Sequence, residues 1–142
     1  MSRFFRFGFA VIVAALAVAS TRAAEPDAAG IEFFEKKIRP VFAEHCWQCH
    51  SEESKSANRL KGGLRLDSEA GIREGGDSGP LVVSGKPAES LLIKALRHEE
   101  LQMPPKAKLA DEVIEQFSTW VSLGAPVPAD TRVATSSKRL DW

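Results

Sequence analysis

Cys46-Trp47-Gln48-Cys49-His50 holds both cysteines of the chain, two residues apart and followed at once by a histidine. That spacing reads as a covalent attachment site for a c-type haem. Each thiol adds to one vinyl group of a porphyrin, and two intervening residues let one turn of backbone reach both vinyls. The adjacent histidine then falls beneath the ring, where an imidazole nitrogen binds iron.

Iron held by His50 on one side needs a ligand on the other, from a segment far enough along the chain to fold over the ring. Once a leader is removed, one methionine (Met103) and two more histidines (His45, His98) remain. Met103 stands before Pro104-Pro105, in an irregular stretch between two helical patterns. A proline-bounded loop places a side chain rigidly, and a soft thioether opposite an imidazole raises the reduction potential of a haem. The competing reading, Met103 as a core gap-filler, is outweighed by the upstream motif. His98 is the reserve ligand, and a bis-histidine site would lower the potential. His45, directly before Cys46, is read as solvent-facing. Trp47 is expected to cover the haem edge. Arg59, Arg65 and Arg97 are candidate partners for propionates, since guanidinium matches carboxylate two-pronged.

On either side of the motif the sequence is helical in pattern. Phe34, Ile38, Val41 and Phe42 recur at helical period, with acids early and bases late as the helix dipole favours. Pro40 within that pattern predicts a kink, or the first turn of a second short helix. Residues 51–58 read as a solvated loop, and Lys61-Gly62-Gly63 as a turn. Residues 64–66 and 81–83 are expected to pair as a short two-stranded β ribbon. Gly75-Gly76-Asp77-Ser78-Gly79-Pro80 lacks the Lys-Ser/Thr ending of a phosphate loop. Pro87 and Ser90 open a helix with Leu91, Leu92, Ala95 and Leu96 on one face. Asp111 is expected to cap a last helix, lined by Val113, Ile114, Phe117, Trp120 and Val121 and stopped at Gly124. Phe117 and Trp120 are expected to pack that helix on the first. The fold class is therefore mainly α.

The N-terminus has the layout of a secretory leader: Arg3 and Arg6, an apolar run over residues 7–19, and small residues Thr21 and Ala23 at positions −3 and −1 of a cut. The run is shorter than the roughly 20 residues of a spanning helix. Cleavage after Ala23 removes three of the 19 basic residues (Arg3, Arg6, Arg22) and none of the 19 acidic ones, changing the net charge from zero to about −3. Such a balance suggests no nucleic-acid partner. The expected division is signal peptide 1–23, linker 24–30, haem domain 31–128 and disordered tail 129–142. An exported, periplasmic or cell-envelope location follows, with no membrane span after cleavage.

Residues 34–128 resemble the planctomycete-type cytochrome c domain. The resemblance rests on Ile38-Arg39-Pro40-Val41-Phe42, the haem motif, Lys61-Gly62-Gly63-Leu64-Arg65-Leu66-Asp67, the glycine-rich stretch 75–80, Gly85-Lys86-Pro87, Met103-Pro104-Pro105-Lys106 and the stretch 120–126. It implies a cytochrome c-like helical fold around one covalent haem c, with His50 proximal and Met103 distal. In that family the module usually begins a much longer protein. Here the sequence ends soon after it, so a free-standing carrier and a truncated reading frame are both expected outcomes.

Four functions fit these residues. The first is one-electron transfer through haem to redox partner proteins, without a catalytic constellation. A haem sensor that loses Met103 shares every residue with it. A thiol-disulfide oxidoreductase using Cys46 and Cys49 fits the C-x-x-C spacing, but no βαβ pattern surrounds it, and it leaves His50 and Met103 unexplained. A zinc module requires four ligands, more than the motif and a nearby histidine supply.

Overall fold

The computed structural model describes residues 28–129, which are mainly helical as the 3.6-residue spacing predicts. Helix α1 (Ala28–Phe33) runs into a π-helical turn (Phe34–Ile38) and then into α2 (Arg39–His45). Pro40 accounts for the interruption. It has no N–H to give back to the preceding turn, and its ring crowds that turn. The backbone widens just before it, with the Arg39 N–H bonding to the Phe34 carbonyl five residues back. Pro40 itself sits in the first turn of α2, where a missing N–H costs nothing. Ion pairs Glu32–Lys36 and Glu35–Arg39 lie on the outer face across the junction, at the i, i+4 spacing that helical side chains need to meet.

The inner face of this helical run carries Phe34, Ile38 and Phe42, all buried. It packs on α6 (Asp111–Ser122), whose Phe117, Trp120 and Val121 are wholly buried. Ring centroids of Phe34 and Trp120 are 5.6 Å apart, those of Phe42 and Phe117 5.2 Å, and Phe42 meets Trp120 edge-on at 6.1 Å. The last helix thus packs on the first as the sequence predicts. The Trp120 indole N–H donates to the Pro126 carbonyl at 2.9 Å, which satisfies the one polar atom of a buried ring. Gly124, at φ +92°, ends α6, the left-handed position that glycine fills at helix C-termini. Asp111 differs from expectation. Ala110 is the N-cap, and Asp111 lies in the first helical turn, bonded to Lys108 at 3.2 Å.

The middle of the chain has four short elements. These are α3 (Glu52–Ser56), α4 (Glu69–Glu74), a 3₁₀ turn (Pro87–Glu89) and α5 (Leu91–Leu96). Helix α3 replaces the loop expected over 51–58. Ser51 caps it by accepting the Ser54 N–H, and Glu52 and Glu53 occupy its positive end. Ser90 precedes α5, but its hydroxyl turns away from the helix to the Val83 N–H (2.9 Å) and the Lys86 carbonyl (2.9 Å).

The expected β ribbon is absent among the described residues, where the one strand-like pairing is the isolated Gly76–Gly79 bridge. The backbone groups it needs bond elsewhere. Leu66 N–H goes to His50 O, Leu81 O accepts from Leu92 N–H, and Val83 N–H goes to Ser90. Of the linker expected over 24–30, Ala28, Ala29 and Gly30 instead form the first turn of α1, and residues 24–27 lie outside the described residues. Gly30 is buried against Pro126, and a Cβ there would lie 2.6 Å from the proline Cγ. The expected signal peptide and residues 130–142 of the expected tail lie outside the described residues. No described helix is long and apolar enough to cross a membrane.

Candidate functional site

The motif is the C-terminal continuation of α2. Cys46 is its C-cap, with its N–H on the Phe42 carbonyl at 2.9 Å. Cys49 and His50 N–H both return to the Cys46 carbonyl, at 3.1 and 3.0 Å. Both thiols and the imidazole therefore issue from one closed turn anchored on Phe42, a core residue.

Two further segments hold that turn. From α3, the Ser51 hydroxyl donates to the Trp47 carbonyl at 2.7 Å, and the Ser54 hydroxyl lies 2.8 Å from the Gln48 carbonyl and 2.9 Å from that of Trp47. Each hydroxyl has one proton, so Ser51 serves Trp47 and Ser54 is shared, mainly to Gln48. From the other side, Lys61 N–H donates to Cys49 O at 3.0 Å and Leu66 N–H to His50 O at 2.9 Å. The Trp47 indole donates to the Leu66 carbonyl at 3.1 Å. That loop is itself pinned by the glycine-rich stretch, through Asp77 N–H to Gly62 O at 2.8 Å. Residues 75–80 are thus a structural brace behind the motif. Ser51 and Ser54 went unnoticed in the sequence, where Ser51-Glu52-Glu53 was a legible helix start.

The electrostatics separate the readings of the cysteines. Burial, and then the neighbouring Cys49, push the Cys46 thiol up to about 12. A disulfide oxidoreductase needs the opposite shift, toward thiolate at neutral pH. A thioether bond removes the ionisable proton altogether, which suits a desolvated sulfur. Among the described residues, no group of three His, Cys, Asp or Glu side chains is placed to hold a metal ion, so the zinc ligand set is not assembled.

Burial also lowers the His50 pKa, against an opposing pull from the Leu64 and Lys61 carbonyls. The ring is therefore biased to the neutral form that a metal requires. The two carbonyls lie near it without hydrogen-bond geometry: His50 Nδ1 is buried with no hydrogen-bond partner. Buried polar atoms without partners are rare in folded chains. Part-buried thiols, a neutral imidazole and an unpaired ring nitrogen on one turn together fit a haem c.

Met103 lies between α5 and α6, half-buried, with its N–H on the Ala95 carbonyl of α5 at 3.2 Å. His98, just past α5, donates its N–H to the same carbonyl at 3.1 Å. His45 is exposed beside Glu44, the solvent-facing position expected of it. Of the three arginines, Arg65 is committed elsewhere. It bridges Glu52 at 3.2 Å and Glu74 at 2.5 Å, so it ties α3 to α4 and is not a ready propionate partner. Arg97 lines an open cavity of about 300 Å³ with Glu99, Lys108, Asp111, Ile114 and Glu115. None of Cys46, Cys49, His50 or Met103 borders that cavity. Arg59 is exposed.

No curated protein and no solved structure matches the chain. Residues 46–107 match the family model described as Planctomycete cytochrome C. The match begins on the first motif cysteine and ends beyond Met103-Pro104-Pro105, so it spans the whole site from the attachment turn to the methionine loop. Over those residues the chain is similar to, and consistent with, a planctomycete-type cytochrome c domain.

Proposed function

We propose that this protein is an exported c-type cytochrome that carries single electrons through one covalently bound haem, with His50 and Met103 as axial ligands. Haem c supplies one-electron chemistry, its iron alternating between ferrous and ferric forms. The protein supplies the rest. Cys46 and Cys49 tether the group, and the closed turn on Phe42 fixes their spacing. His50 offers a neutral nitrogen, held by the loop from Lys61 to Leu66. Met103 offers a sulfur from a loop hung on α5. With both axial positions taken by side chains, no position is left for a substrate, which supports a carrier rather than a catalyst. Redox partner proteins are the implied clients. The leader-like N-terminus supports export, since c-type haem is attached outside the cytoplasm.

The observation that carries this reading is the single turn on which Cys46, Cys49 and His50 converge within the matched segment. The test is a reduced-minus-oxidised spectrum of protein made in a host able to attach haem. A c-type spectrum with a sulfur-to-iron band that disappears in Met103→Ala is expected. A band that persists in that variant removes Met103 from the ligand set. A high-spin spectrum that binds carbon monoxide without any substitution favours a sensor over a carrier.

A further inference from the structure

The segment after α5 closes on itself. His98 and Met103 N–H both donate to the Ala95 carbonyl, at 3.1 and 3.2 Å. The backbones at the two ends of residues 98–103 are thus side by side on one oxygen. The two side chains they carry are an imidazole and a thioether, both iron ligands.

His98 is also unusual in itself. Its φ is +62°, a conformation uncommon for a residue with a side chain, although histidine is among those enriched there. Its Nε2 is buried without a hydrogen-bond partner. A left-handed backbone is kept, and a ring nitrogen is taken out of water, with no protein group to bond it. The left-handed backbone closes α5, with Glu99 N–H on the Lys94 carbonyl at 3.0 Å beside His98 N–H on that of Ala95. The unpartnered nitrogen is thus the feature that helix termination does not explain. A buried polar atom without a partner is rare in a folded chain and marks a place where another group completes the arrangement.

We infer that His98 is a second iron donor held in reserve for the position Met103 occupies. This rests on the haem reading above. When the sulfur leaves the iron, Nε2 of His98 takes its place, using the same anchor on Ala95. The exchange replaces His/Met by His/His ligation, which lowers the reduction potential. Loss of the sulfur therefore switches the carrier to a lower potential and leaves the iron six-coordinate.

The test compares four holoproteins: wild type, His98→Asn, Met103→Ala, and the double variant. Asparagine is chosen because it tolerates the left-handed backbone. His98→Asn alone is expected to keep the wild-type spectrum. Met103→Ala is expected to lose the sulfur-to-iron band yet stay low-spin and resist carbon monoxide. The double variant is expected to turn high-spin and to bind carbon monoxide. Electron paramagnetic resonance of Met103→Ala alone gives a second readout, with a bis-imidazole signal expected, so the conclusion survives poor folding of the double variant. A Met103→Ala protein that is already high-spin overturns the inference and leaves His50/Met103 ligation standing. So does a low-spin state that persists in the double variant. A wild-type spectrum without the sulfur band overturns both readings, and the two failures are told apart in that way.

Discussion

Ser54→Ala removes one hydroxyl and tests whether α3 holds the attachment turn. Ser54 is 1 % exposed. Its oxygen lies 2.8 Å from the Gln48 carbonyl, 2.9 Å from that of Trp47 and 3.0 Å from the Ser51 hydroxyl. Trp47 keeps the bond from Ser51, so the loss falls on Gln48. A net hydrogen bond is worth about 1 kcal/mol, and leaving an acceptor unsatisfied adds about 1–3 when it is fully out of water. Gln48 is an exposed residue, which puts the sum near the low end, about 2 kcal/mol. In a domain of this size that is a fall of roughly 10 °C in Tm. Urea and thermal unfolding of wild type, Ser54→Ala and the control Ser56→Ala measure it, together with the fraction of each that acquires haem. Ser56 is exposed at the end of α3, so its variant should stay within about 0.5 kcal/mol of wild type. A Ser54→Ala protein as stable as that control, with undiminished haem attachment, would refute the latch.

Other outcomes follow from the same structure. Phe42→Ala, which empties the ring contacts with Phe34, Phe117 and Trp120, should cost about 3–5 kcal/mol by denaturant unfolding. It should also impair haem attachment, because the motif turn hangs on residue 42. Gly30→Ala places a methyl group 2.6 Å from Pro126 and should lower stability by about 1–3 kcal/mol in urea melts; no change would show that α1 does not pack there. In haem-free protein, the raised Cys46 pKa favours the folded state while the thiol is protonated. That contribution is complete below pH 9.0 and lost as pH rises toward about 12. The stability difference between wild type and Cys46→Ala should shrink across that window, and it should not do so in protein whose sulfur is already a thioether.

The helical parts of this fold were legible wherever one face was apolar over several turns. Phe34, Ile38 and Phe42, and the face of α6, were read from spacing alone, because burial of a stripe leaves a period in the sequence. Helix α3 has five residues and no apolar face, so only its capping pattern betrayed it. Residues 64–66 and 81–83 look like strands because they alternate or are apolar. In the fold they are loop segments with N–H and C=O groups taken by His50, Ser90 and Leu92. No local pattern announces such distant partners. The Cys46-to-His50 motif was legible as a pattern, since its spacing is local in the sequence. What surrounds it was not: the serines that hold its carbonyls, the glycine brace behind it, and the shared anchor of His98 and Met103 are all tertiary. Arg65 shows the same limit, because a guanidinium suited to a propionate in composition turned out to be taken by two glutamates.

The central claim is a haem bound through Cys46 and Cys49. The most direct measurement is the mass and colour of the purified chain after denaturation and acid extraction. One haem retained per chain, with neither cysteine open to alkylation, is the result predicted here. A colourless chain of unmodified mass, with both thiols reactive, from a host that matures other c-type cytochromes, would contradict it.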